Sequence, residues 1–199
     1  GIGAFTIIYA VVSLIISFAI FLISGFHLLN NLSILLILLA GATQIIVFLS
    51  YFKALSGEEA SRVVPLWQTI PFFSLVLGMI FLGEFLRPLQ LVGFLVIFIG
   101  GYLLSNKRFS KETFMPNQRF WLMLVAAFGS AAISVVFKYV VGINSFLETV
   151  AWENLGVGIA GLTLLFIGSF RKQLTDSCLT FYRRTYYFCP KYFAGRYKN

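Results

Sequence analysis

The strongest constraint on the fold is a series of apolar runs that recur along the 199-residue chain. Each run has about 20 residues, the length that an α-helix needs to cross a hydrocarbon core of roughly 30 Å. The runs are continuous in Leu, Ile, Val and Phe, whereas strands of a membrane barrel alternate in polarity. The sequence therefore predicts an all-α, polytopic bundle of about six transmembrane helices, near residues 4–25, 33–52, 61–82, 87–105, 120–141 and 147–169.

Composition agrees with a membrane protein, because 59% of the residues are hydrophobic and only 11% are charged, against about 25% charged in soluble domains. The first run is not a signal peptide, since no basic segment precedes it and it is longer than an apolar signal core. Short connections join most of the spans. A longer polar linker at 106–118 separates four predicted helices from two.

Positive charge is unevenly divided between the two faces of the predicted bundle. One face holds only Arg87 and Lys138. By the positive-inside rule the other face, which includes the linker, is predicted to be cytoplasmic. Its basic residues are Lys53, Arg62, Lys107, Arg108, Lys111, Arg119, Arg171 and Lys172.

A specific pattern lies in residues 54–105, where one span contains Pro65 and Pro71 and the next begins at Pro88. Proline inside a membrane helix frees a carbonyl that a neighbouring group or a cavity must satisfy, so 63–71 is predicted to be a cavity wall. The stretch "ASRVVPLWQTIPFFSLVLGMIFLGE", followed by "PLQLVGFLVIFIGGYLL", resembles the fourth and fifth helices of the EamA repeat of the drug/metabolite transporter superfamily.

This resemblance implies a ten-helix secondary transporter with two repeats of inverted topology and a substrate path between them. Residues 1–105 would be the last four helices of the first repeat and 119–170 the first two of the second, so the chain is expected to be truncated at both ends. The implied activity is alternating-access transport of a small metabolite or drug-like solute in a bacterial or archaeal plasma membrane. Family members commonly have both ends in the cytoplasm, which would place the linker outside, so the orientation stays open.

Polar residues inside the spans are the candidates for function, because a charge at the centre of a membrane helix costs about 3 kcal/mol. Glu153 lies in "VAWENLGVGIAG", residues 150–161, where Gly156 and Ala160 form a small-residue face that allows close helix packing. Two interpretations of Glu153 remain open at this stage. It handles substrate or protons, or it forms a structural ion pair with Lys138.

Aromatic and amide residues in three spans extend the predicted path. Gln44 and Tyr51 are seven residues apart and share a helix face, and three further residues lie between the two prolines of the kinked span. The complete predicted substrate path is Gln44, Tyr51, Trp67, Gln68, Thr69, Pro71, Trp152, Glu153 and Asn154.

Enzymatic chemistry is not indicated. The sequence has one histidine, and its two cysteines, Cys178 and Cys189, match no metal-binding spacing, so no catalytic residues, metal or cofactor are predicted. No phosphate-binding G-x-x-x-x-G-K-[ST] pattern is present, so an ion gradient or the solute's own gradient would drive transport. The expected partners are the lipid bilayer and a small-molecule solute, with a homodimer as a way to complete the cavity. A non-transporting membrane scaffold and a non-functional transporter fragment are the alternatives.

The tail at 171–199 is basic and rich in Tyr and Phe. Its abrupt change of composition after Gln173 is typical of a frameshift artefact, and an interfacial segment on anionic lipid is the second interpretation. Nucleic-acid binding is the least favoured of the three.

Overall fold

A computed structural model describes residues 2–26, 28–56, 67, 69–85, 87–106, 118–168, 170–171 and 175. Over these residues the chain forms six α-helices and no strand, which confirms the predicted all-α class. The helices are α1 (Ile2–Ser24), α2 (Asn31–Leu55), α3 (Ile70–Leu82), α4 (Pro88–Asn106), α5 (Gln118–Val141) and α6 (Phe146–Thr163), and a 3₁₀ turn, Leu164–Phe166, follows α6.

Four segments of the described chain are long and apolar enough to cross a membrane: Ile2–Ser24, Asn31–Leu55, Phe120–Val141 and Phe146–Phe166. The fourth helix of the bundle, α4, coincides within a residue with the predicted span 87–105. In the predicted span 61–82, α3 accounts for 13 residues, and residues 61–66 lie outside the described part of the chain.

Proline and glycine set the ends of the helices around the connection from α3 to α4. Pro71 lies in the first turn of α3, where its missing N–H would have no intrahelical partner. Gly83 ends α3 with φ +64°, a left-handed conformation that side chains other than glycine rarely adopt. Pro88 then begins α4. Gly83 and Pro88 thus mark the two ends of a short connection between the helices.

Helix contacts show that neighbours in the sequence are mostly not neighbours in space. Helix α6 packs against both α1 and α2, while α5 packs against α2 and α3. Phe73 of α3 and Phe128 of α5 meet edge to face, with ring centroids 5.6 Å apart. Phe21 and Trp152 meet in the same way, at 5.4 Å, where the end of α1 lies beside the start of α6.

Glycines allow the closest of these contacts. A Cβ on Gly156 would lie 2.6 Å from the carbonyl oxygen of Leu38 in α2, and a Cβ on Gly41 would collide with the carbonyl of Glu153. This confirms that Gly156 is on a packing face of α6, as the sequence predicted. A second glycine face, which the sequence analysis did not identify, meets α1, where Gly158 contacts Leu14.

Small residues fill the interior, and large apolar residues cover the outside. Ala10, Ala126, Ala127 and Ala151 are fully buried, whereas many Leu, Ile and Phe side chains are exposed. Lipid tails solvate a large apolar side chain as well as protein does, so a membrane bundle gains most from close backbone packing. One buried polar contact joins the helices, since the hydroxyl of Ser17 donates to the carbonyl of Ala151 at 2.8 Å.

Several predicted features lie outside the described residues. They are the linker residues 107–117, most of the 171–199 tail with Cys178 and Cys189, and Gln68 of the predicted path.

Candidate functional site

Glu153 lies on α6 where that helix crosses α2, and its side chain is half-buried. Among the described residues its carboxylate forms no ion pair and accepts no hydrogen bond. Tyr9 of α1, which shares a side-chain hydrogen bond with Ser13, is close enough to interact electrostatically with this carboxylate. The backbone of Glu153 therefore lies against α2, while its carboxyl lies near Tyr9 of α1 and has no hydrogen-bond or ion-pair partner among the described residues.

The predicted ion pair between Lys138 and Glu153 is wrong. Lys138 instead pairs with Glu84, which follows the end of α3. The physical reason is the helix arrangement, because α5 packs chiefly against α2 and α3 and makes few contacts with α6. Lys138 is also in the last turn of α5, where a long side chain can reach the membrane surface.

Tyr51 and Trp67 are brought together as the predicted path requires, with ring centroids 4.7 Å apart. Both rings pack beside Ala54 and Met123, at the junction of α2 and α5. Gln44 is half-buried two turns away from Tyr51 on α2, and its amide makes no hydrogen bond with a described residue. These residues place aromatic and amide groups on one side of α2.

Trp152 and Asn154 occupy different surroundings from Glu153. Trp152 is only 8% exposed and meets the rings of Phe21 and Phe26 edge to face, so it packs between α6 and the end of α1. The amide of Asn154 donates to the carbonyl of Val150 in its own helix, at 2.8 Å. Neither residue lines the cavity between α3, α4 and α5 or the one between α2, α3 and α5.

A cavity of about 620 Å³ lies between α3, α4 and α5. Of the predicted path residues described, only Pro71 lines it. The remaining lining residues are Ser74, Leu75, Gly78, Leu82, Glu84, Phe85, Gln90, Phe94, Ser134, Val135 and Lys138.

The sequence held only weak signals for this cavity. Glu84 and Lys138 follow or end apolar spans, which is typical of interfacial residues, and the single serines inside the spans form no pattern. A second cavity, of about 420 Å³, lies between α2, α3 and α5 and is lined almost wholly by apolar side chains such as Leu36, Leu77 and Phe128.

No group of three or more His, Cys, Asp or Glu side chains that could hold a metal ion occurs in the described part of the chain.

In the comparison with known protein families, residues 2–106 match the EamA-like transporter family. The matched segment contains α1 to α4, and α5 and α6 follow it. No curated protein and no solved structure matches the chain.

Proposed function

The chain belongs to the EamA-like transporter family, and from this membership we propose that it moves a small organic solute by alternating access, driven by a proton gradient. It is an integral membrane protein of the drug/metabolite transporter superfamily. The proposed setting is a bacterial or archaeal plasma membrane.

The observation that carries proton coupling is the half-buried carboxyl of Glu153, which forms no ion pair with a described residue. A permanently charged carboxylate inside a span costs about 3 kcal/mol unless it is paired or hydrated, and no described residue pairs with it. A carboxyl that takes up a proton becomes neutral and no longer carries the cost of a buried charge. Its protonation can therefore favour one conformation of the transporter over another. Glu153 is therefore the proposed proton site.

The helix contacts around Glu153 support movement of α6. Gly156 and Gly41 let the backbones of α6 and α2 meet without interlocking side chains. On the other side of α6, the hydroxyl of Ser17 in α1 donates to the Ala151 carbonyl. The close contact of α6 with α2 is a packing contact between backbones, and such contacts can rearrange when a helix changes its position, as alternating access requires.

The solute path is proposed to run beside Glu153 and along the polar and aromatic face of α2. Gln44 offers an amide without a described partner, and Tyr51 and Trp67 offer paired rings. Such a combination suits a small solute that is partly polar and partly apolar.

Transport by the purified chain in liposomes tests this proposal. An inward proton gradient should drive accumulation of a radiolabelled solute chosen from a panel of amino acids, sugars and nucleosides. Glu153→Gln should abolish gradient-driven accumulation but retain exchange of internal for external solute, because a permanently neutral side chain still permits the conformational change.

Glu148→Gln is the matched control, since Glu148 is an acid in the first turn of the same helix. This variant should accumulate solute as the unmodified chain does. If Glu153→Gln responds to the proton gradient like the unmodified chain, Glu153 is not the proton site. If the unmodified chain moves no solute of the panel, the transport proposal fails in favour of a membrane scaffold.

A further inference from the structure

The cavity between α3, α4 and α5 has a size and a composition that suit a small molecule. Its volume of about 620 Å³ falls within the roughly 300–1,000 Å³ of pockets that bind small ligands. Leu75, Phe85, Phe94 and Val135 give it apolar walls. An apolar side group of a ligand can pack against these walls.

One positive and one negative side chain line the same cavity. Lys138 on α5 and Glu84 after α3 pair with each other, yet their side chains remain 58% and 49% exposed. Their charged groups are therefore paired but still accessible to a molecule inside the cavity. From this arrangement we propose that the cavity binds a small zwitterion that carries an apolar side group.

Neutral polar groups beside the ion pair add hydrogen-bonding capacity. Gln90 already accepts the backbone N–H of Arg87 through its Oε1, at 2.9 Å, so its NH₂ group remains to donate to a carboxylate. Ser134 donates its hydroxyl to the carbonyl of Ser130, at 2.9 Å, which leaves the hydroxyl oxygen to accept from an ammonium. Both residues line the cavity.

Charge balance selects a zwitterion over a simple ion. The carboxylate of the ligand binds the ammonium of Lys138, and its ammonium binds the carboxylate of Glu84, so one ion pair becomes two and no charge is left unpaired. A singly charged ligand would occupy one member of the pair and leave the other without its partner, so one charge-assisted hydrogen bond would be lost for each one gained. The bound zwitterion is the transported solute only if the proposed function holds, whereas binding itself is measured without flux.

Competition binding to the unmodified chain in lipid nanodiscs is the first measurement. Equilibrium dialysis would follow radiolabelled phenylalanine and leucine, with 3-phenylpropanoate and phenethylamine as competitors that each lack one of the two charges. We expect each single-charge competitor to bind at least about tenfold more weakly than phenylalanine, because each loses a charged hydrogen-bonded contact. No saturable binding of either amino acid, or equal binding of phenylalanine and both competitors, overturns the proposal.

Two variants make the test specific for the ion pair. Lys138→Gln should weaken the binding of phenylalanine and 3-phenylpropanoate by about tenfold or more, because the cation that holds their carboxylate is lost. The same variant should strengthen the binding of phenethylamine, because Glu84 is then free of its partner. Glu84→Gln should weaken the binding of phenylalanine and phenethylamine and strengthen the binding of 3-phenylpropanoate. Arg87→Gln is the matched control, a nearby exposed cation that does not line the cavity, and should leave all binding unchanged.

A purely structural ion pair would give a different result, since both variants would then weaken every probe to a similar extent. That outcome overturns the proposal. If the two variants change probe binding in opposite ways but the unmodified chain transports no solute in liposomes, the zwitterion site is supported and the transport function is refuted. If both variants still transport solute and the unmodified chain binds neither phenylalanine nor leucine, the zwitterion site is refuted and the proposed transport function is not.

Discussion

The contact between α2 and α6 gives a prediction whose magnitude follows from the structure. Replacing Gly156 with alanine adds one methyl group, which would lie 2.6 Å from the carbonyl oxygen of Leu38 and 3.0 Å from its Cα. Ordinary contact begins at 3.4 Å, so the helices would have to separate by about 0.8 Å. The obstructing atoms belong to the backbone and cannot rotate away.

Overpacking of this kind costs about 1–3 kcal/mol, and the rigid obstacle places Gly156→Ala near the upper end of that range. Alanine is also the better helix former by about 1 kcal/mol, a gain that the clash must exceed. We expect a net loss of about 1–2 kcal/mol in the free energy of unfolding, measured by SDS titration of the purified chain in mixed micelles with circular dichroism.

Gly93→Ala provides the control, because a Cβ at Gly93 of α4 meets no atom within 4 Å. This variant receives the same gain in helix propensity without a clash, so it should be as stable as the unmodified chain or slightly more stable. A Gly156→Ala chain as stable as Gly93→Ala would refute the close backbone contact between α2 and α6.

Two further predictions concern the contact of α6 with α1 and use the same unfolding measurement. Trp152→Ala removes a buried ring that meets Phe21 and should cost about 3 kcal/mol or more, whereas Trp121→Ala, at a ring that is 56% exposed, should cost far less. Equal losses would contradict the buried placement of Trp152. Ser17→Ala removes the 2.8 Å bond to the Ala151 carbonyl and should cost about 0.6 kcal/mol, with about 1.7 as an upper value. Ser134→Ala, whose hydroxyl bonds within its own helix, should have a smaller effect, and a reversed order would contradict the interhelical bond.

The helices were predictable because bilayer thickness determines the length of an apolar run. The bounds of α1, α2 and α5 differ from the predicted spans by at most three residues. Proline and glycine supplied the local stops, as at Gly83 and Pro88. The family resemblance was recognisable for a related reason, since its pattern includes Gly83 and Pro88, which end α3 and begin α4.

The partners of the charged residues were not predictable, since they depend on which helices lie side by side. Lys138 is 15 residues from Glu153 in the sequence but 54 from Glu84, with which it pairs. From the sequence alone, Glu153 was the predicted partner of Lys138 because it is nearer along the chain than Glu84. Only the packing of α5 on α3 brings Glu84 into reach.

The cavity was missed for the same reason. Its polar lining comes from three helices, and on each one the contribution is one or two residues, such as Ser74, Gln90 and Ser134. No single stretch of sequence contains a pattern that a search could detect. The packing of Trp152 was likewise not predictable, since its ring meets Phe21 of α1, a helix far from α6 in the sequence.

Helix α6 lies outside the segment that matches the family, yet it packs against the first two helices of that segment. These two helices are consecutive and both belong to residues 2–106, yet each packs far more extensively on α6 than on the other. Helix α6 can serve both because its glycines face in two directions, with Gly156 against α2 and Gly158 against α1. The backbone carbonyl of Glu153 is part of the contact with α2, and its carboxyl is within electrostatic reach of Tyr9 of α1, so a change in the position of α6 alters the surroundings of Glu153 on two sides at once. Under the proposed function, a proton bound at Glu153 would thus affect the packing of both helices, which is the property that a coupling residue needs.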